Sequence, residues 1–214
     1  MSEKYVPTFT LNDGVEVPAV GLGTWQMQGD EVITAVRSAI DTGYRHIDTA
    51  AFYQNEADIG RAIHDAISAG DVTREELFIT SKVWNDQQSD HEVQAAFRAS
   101  LTNLGLDYLD CYMVHWPCPS TGRHVERFAA LSTLQGLGDV RSIAVANYNG
   151  DQLREVQEKT GIVPTINQVE LHPGFSQAEL RETHAQLGVL TEAWSPLAQG
   201  DVNHTGLLVD IADK

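Results

Sequence analysis

Six polar side chains close the apolar runs of this chain, and their types could bind and activate a small molecule. Asp48, Lys82, His115, Asn147, Gln168 and Ser195 each end or follow a short strand-like segment. Singly, each has an ordinary structural use: a capping carboxylate, a surface amine, a packed imidazole, an amide satisfied by backbone. Together they supply an acid, an amine, an imidazole, two amides and a hydroxyl at successive strand ends. A lysine in such a place can serve as a Schiff-base nucleophile. A carboxylate beside it, such as Asp48, would instead keep it protonated.

The segments that must position these groups are readable from period and punctuation. Strand-like runs cover residues 20–23, 45–48, 77–81, 109–115, 141–146, 166–171 and 189–194. Amphipathic stretches lie between them, such as residues 30–43, with Asp30 as N-cap and Gly43 as C-cap. Residues 55–70 and 90–105 repeat the logic, with acids in the first turn and glycine at the end. Such alternation predicts parallel strands joined by helices. The strands are apolar throughout, as expected when both faces are buried. Ahead of them, residues 8–20 place two β-type runs around Asn12-Asp13-Gly14, a hairpin signal. A doubly wound sheet also alternates, but it gathers its ligand at one switch point. Polar groups spread over many strand ends favour an α/β barrel of the (β/α)8 TIM type.

Composition narrows the function. The chain has 214 residues, 30 acids against 14 bases and a net charge of −16. A polyphosphate needs a basic face, so nucleic acid is excluded as a partner. The acidity reads as a well-solvated surface, with adaptation to salt as the alternative. No apolar run approaches the roughly 18 residues of a membrane span, and residues 1–10 lack a secretory apolar core. A cytoplasmic location and no membrane partner are therefore expected. Cys111 and Cys118 are too few for a disulfide framework; Cys111 reads as core, Cys118 as a reducible loop thiol. Gly21 and Gly23 do not make a dinucleotide fingerprint, because Gln26 stands where the third glycine belongs. His91, His124, His172, His184 and His204 show no metal-ligand spacing, so no metal is expected.

Five segments carry a closer resemblance: G-Y-R-H-I-D-T-A-A-F-Y-Q-N-E from Gly43, I-T-S-K-V-W around Lys82, Y-M-V-H-W-P around His115, N-Q-V-E-L-H-P from Asn167 and A-W-S-P-L from Ala193. In order and spacing they resemble the signatures of the aldo-keto reductases, most nearly the bacterial 2,5-diketo-gluconate reductases and prostaglandin-synthase-like reductases. The resemblance implies a monomeric barrel enzyme over residues 1–214 that reduces aldehydes or ketones, with keto-sugar acids or dicarbonyls among the substrates, using NADPH. It maps a catalytic tetrad onto Asp48, Tyr53, Lys82 and His115. The chemistry is reasonable for those types. Tyr53 would donate the proton, Lys82 would lower a phenol pKa that is ordinarily near 10, and Asp48 would hold Lys82 charged. His115 would donate to the substrate carbonyl.

The same resemblance implies that Asn147 and Gln168 hold the nicotinamide carboxamide, that Trp194 stacks on its ring, and that Ser195 and Leu197 meet the pyrophosphate, chiefly through backbone. Trp25, Trp84 and Trp116 would wall the substrate mouth, where plain rim packing is the alternative. Ala146 stands where the family usually has serine, which loses one hydroxyl contact. The family's eighth strand and its basic 2′-phosphate segment would follow Lys214, so a seventh helix at the chain end and a longer native product are expected. In a chain without that segment, a weakly active or non-catalytic cofactor-binding barrel is the alternative.

Overall fold

The computed structural model describes residues 7–200 together with Leu208 and Ile211. The seventh helix expected near the end of the chain, and His204, lie outside the described residues apart from those two positions.

The expected hairpin is present as β1 (Thr8–Thr10) and β2 (Glu16–Pro18), antiparallel with Phe9 opposite Val17. Seven parallel strands follow in one sheet: β3 (Gly21–Gly23), β4 (His46–Asp48), β5 (Phe78–Val83), β6 (Leu109–Val114), β7 (Val140–Ala146), β8 (Ile166–Glu170) and β9 (Leu190–Trp194). Each pairs with its successor in sequence. That order belongs to a barrel; a doubly wound sheet reverses direction part-way.

Curvature is shown by one bond. Gln168 on β8 donates through Nε2 to Asp48 Oδ1 on β4 at 3.2 Å. In a flat sheet, strands four places apart would be roughly 19 Å distant. The sheet therefore curls on itself into a nearly closed α/β barrel of the TIM type.

Six helices connect the strands: α1 (Gly29–Thr42), α2 (Glu56–Ala69), α3 (Asp90–Leu104), α4 (His124–Leu137), α5 (Gly150–Thr160) and α6 (Ala178–Leu187). In α1, Val32, Val36, Ala39 and Ile40 form the stripe that packs inward. Its cap differs from the expectation. Gln28 occupies the N-cap, and Asp30 sits inside the first turn. The helix starts one residue earlier than expected, and the backbone N–H of Gly29, its first residue, is satisfied from another helix by Asp58 Oδ2 at 2.9 Å. Helix α3 carries its own solution, a capping box between Ser89 and Glu92.

The apolar strands divide as a doubly covered sheet requires. On β6, Tyr112 and Val114 pack among the helices, whereas Cys111 and Met113 face the barrel interior with Phe78, Ala144 and Ile166. The hairpin seals the interior at the end where strands begin. Leu11 and Val17 join that inner cluster. Asn12 Nδ2 reaches the carbonyls of Pro164 and Gly188, both at 3.1 Å, and Asp13 accepts from Ser142 Oγ at 2.7 Å. Among the described residues no helix is long and apolar enough to cross a membrane.

Helix α2 crosses α3 at Gly60, where an added Cβ would stand 2.9 Å from Leu104 Cα and collide with the Leu104 carbonyl. Gly60→Ala should therefore cost about 2 kcal/mol and lower the thermal midpoint by roughly 6 °C. Calorimetry or circular dichroism checks this; an unchanged midpoint would refute the close crossing.

Candidate active site

The far end of the barrel, where strands terminate, holds the polar groups. Lys82 lies inside β5 and is fully buried. Its ammonium donates to both oxygens of Asp48, at 2.6 and 2.7 Å, and to the Thr49 carbonyl at 3.0 Å. Asp48 is held in turn: its backbone carbonyl accepts from the Thr24 hydroxyl at 2.9 Å and the Thr24 N–H at 3.1 Å. Burial alone would drive the Lys82 pKa down, but Asp48, Tyr53 and Glu192 together leave it raised. The amine is a permanent cation.

Tyr53 ends a 3-10 turn (Ala51–Tyr53) directly after β4. Its ring stands 5.4 Å from Lys82 Nζ and packs edge-on against His115, centroids 5.7 Å apart. Asn55 fixes the turn. Fully buried, it accepts from the Thr49 hydroxyl and donates to the carbonyls of Thr24 and Met27. Asp48, Tyr53, Lys82 and His115 thus converge, although they come from three separate stretches of chain.

Lys82 acts on Tyr53 in the expected direction but does not prevail: burial raises the phenol's pKa, Lys82 lowers it by its charge and a hydrogen bond, and Asp48 adds to the rise, leaving a net upward shift. Removal from water is the largest cause, and the attraction of the ammonium, partly offset by the carboxylate behind it, does not overcome it. Tyr53 therefore stands at the cavity as a protonated donor.

His115 is buried, and its pKa falls to about 3 through burial, then Lys82 and Arg127. The neutral imidazole retains one N–H donor, and Nδ1 has no partner among the described residues.

A cavity of about 920 Å³ opens over these groups. Its wall includes Asp48, Tyr53, His115, Asn147, Gln168, Trp194 and Ser195. Trp25, Trp84 and Trp116 line it too, with Phe52 stacked on Trp84 at 3.7 Å between ring centroids. Leu197 does not join them; it is 63% exposed and absent from the wall. Asn147 turns both ends of its amide to protein, Nδ2 to the His115 carbonyl at 3.0 Å and Oδ1 to the Trp194 indole N–H at 2.9 Å. Its backbone sits at φ 64°, in the left-handed region, directly after β7.

Three contributors escaped the sequence reading. Asn55 holds the Tyr53 turn. Arg127 is fully buried in α4 and donates to the carbonyls of Trp84 (2.8 Å) and Trp116 (2.9 Å), tying two walls of the mouth together. Glu192, a charge in the middle of β9, takes a 2.5 Å bond from Gln168 Nε2. A charged residue inside an apolar strand was the available signal for the last. Among the histidines set aside as metal ligands, His184 is packed, bonded to Asn167 and Thr191 at 2.8 Å each.

A barrel with a lysine-carboxylate pair, a phenol and an imidazole at its strand ends defines a class of carbonyl-active oxidoreductases, and comparison with known proteins agrees. The Aldo/keto reductase family profile matches residues 19–206. An aldo-keto reductase of Mycolicibacterium smegmatis is 47% identical over 208 residues, covering 97% of this chain and 74% of that one. Methylglyoxal reductase DkgA of Escherichia coli K12 is 45% identical, covering 95% of this chain and 73% of that one. Among solved structures, an aldo-keto reductase of Bombyx mori in complex with NADP superposes with a TM-score of 0.84 at 41% identity, covering 89% of this chain and 66% of that one. The chain belongs to the aldo/keto reductase family.

The His115 shift has a measurable sign. Its folded pKa lies below the usual value, so between about pH 3 and 6.5 the unfolded chain binds more protons and stability rises with pH. The contribution is complete above pH 6.5 and is lost as pH falls toward 3. The His115 imidazole signals in NMR should show no titration from pH 8 to pH 5; an inflection near 6.5 would refute the neutral assignment.

Proposed function

We propose that this protein reduces aldehydes and ketones to alcohols with NADPH, Tyr53 supplying the proton. The observation that carries the reading is the convergence of a protonated phenol and a neutral imidazole on one cavity, above a buried ammonium-carboxylate pair. The cavity residues fit a nicotinamide. Gln168 offers an amide oxygen without a protein donor among the described residues, Trp194 supplies a flat indole wall, and Ser195 stands at the rim with Asn147 nearby. The relative from Bombyx mori binds NADP, which supports the cofactor. When bound, the reduced nicotinamide supplies the hydride.

The chain's own residues do the rest. The substrate carbonyl oxygen accepts hydrogen bonds from the Tyr53 hydroxyl and the His115 N–H, which stabilise negative charge as it grows on that oxygen. Tyr53 then transfers its proton to the oxygen. Lys82 stabilises the phenolate left behind, and Asp48 keeps Lys82 charged throughout. The aromatic walls of Trp25, Phe52, Trp84 and Trp116 exclude water and hold apolar parts of the substrate. Methylglyoxal, the substrate in the name of the Escherichia coli relative, makes small dicarbonyls the first compounds to test. A Schiff-base reaction on Lys82 is disfavoured, because a raised pKa leaves no free amine.

Loss of NADPH absorbance with aldehydes, dicarbonyls and keto-sugar acids reads the activity directly. Tyr53→Phe should lower kcat by about a thousandfold while the protein still folds and binds cofactor. Reduction needs the phenol protonated, so kcat should stay level to about pH 9 and fall only above pH 10, in the direction of the Tyr53 shift. A Tyr53→Phe enzyme with full activity would overturn the assignment.

A further inference from the structure

The amide of Gln168 is held from two sides by groups that only accept. Nε2 donates to Glu192 Oε1 at 2.5 Å and to Asp48 Oδ1 at 3.2 Å. An ionised carboxylate has no proton to give, so both bonds require the NH2 end of the amide and forbid its oxygen there. The carbonyl oxygen of Gln168 is thereby turned away from the carboxylates. It takes no protein donor among the described residues, is not sealed by packing, and belongs to a residue that lines the cavity.

The two carboxylates contribute unequally. Asp48 Oδ1 already accepts from Lys82 at 2.6 Å, and its charge is matched there. Glu192 faces Gln168 directly across the ladder, since Gln168 pairs with Glu192 in the β8–β9 register, and its bond is the shorter one. A charge-assisted bond of that length is the stronger of the two. No described cation forms a salt bridge with Glu192, so its acceptor capacity remains with Gln168.

We propose that Glu192 is a positioning residue that locks the Gln168 amide with its oxygen toward the cavity, making this point of the site selective for an N–H donor. The assignment rests on the proposed function: the donor it selects is the NH2 of the nicotinamide carboxamide. A cofactor bearing a group of similar size without N–H would leave the Gln168 oxygen unmet, at a cost near one hydrogen bond.

The test compares dissociation constants for NADP+ and its 3-acetylpyridine analogue, in which methyl replaces the amide nitrogen, by calorimetry without substrate. The wild-type protein should prefer NADP+ by about tenfold. Glu192→Leu and Glu192→Ala free the amide to rotate, and their preference should fall to about twofold. Glu192→Gln, whose carbonyl still accepts from Gln168, should restore most of it. General damage to the fold would weaken both ligands together and leave the ratio unchanged, so the ratio isolates orientation. A preference in Glu192→Leu and Glu192→Ala equal to that of the wild type overturns the role of Glu192 while leaving carbonyl reduction intact. A wild-type protein that binds neither dinucleotide overturns the reading of the whole site, and this assignment with it.

Discussion

An ammonium group enclosed in a barrel is the constraint around which this molecule is organised. Moving a charge of that size from water into a poorly polarisable interior is expensive, and it is tolerated only with close partners of opposite charge and satisfied hydrogen bonds. Lys82 has both, in the two oxygens of Asp48 and the carbonyl of Thr49. Those bonds join the end of β4 to β5 and fix where the chain leaves the barrel. The turn bearing Tyr53 follows at once, and Asn55 holds it from below. The pair also sets the electrostatic surroundings of its neighbours. Burial raises the pKa of Tyr53 against the pull of Lys82, and burial, reinforced by the Lys82 charge, keeps His115 neutral.

The barrel separates this chemistry from the groups that stabilise the fold. At the end where strands begin, the hairpin closes the interior with Leu11 and Val17, and the Asn12 and Asp13 side chains tie it to later strands. At the other end, the loops have no sheet to hold them and depend on single buried polar residues. Arg127 is the plainest case. It gives up all contact with water to hold the carbonyls of Trp84 and Trp116, and in doing so shapes a cavity wall without touching the cavity. Glu192, itself in the cavity wall, bonds the amide of Gln168 from the neighbouring strand.

Much of this was legible beforehand. The seven strands fall where short apolar runs predicted them, because a strand covered on both faces leaves an unbroken apolar record. The helices fall where an apolar stripe of helical period ends in glycine. The four residues expected to meet do meet. Other readings failed for local reasons. Asp30 is not the N-cap because the helix begins one residue earlier, at Gly29, whose N–H is taken by Asp58 from the next helix. Arg127 sat unnoticed in a helix, where an arginine ordinarily marks the wet face.

By itself, then, the sequence determined which side chains stand at the ends of which strands, since alternation, period and glycine punctuation are properties of neighbours along the chain. Only the tertiary structure decided what those side chains are chemically. The protonation of Tyr53 and His115 depends on burial and on charges that come from other strands. The direction in which the Gln168 amide points depends on Glu192 in the neighbouring strand and on Asp48, 120 residues earlier in the chain. Such properties follow from distance and dielectric surroundings in space, and neither is written in the order of residues.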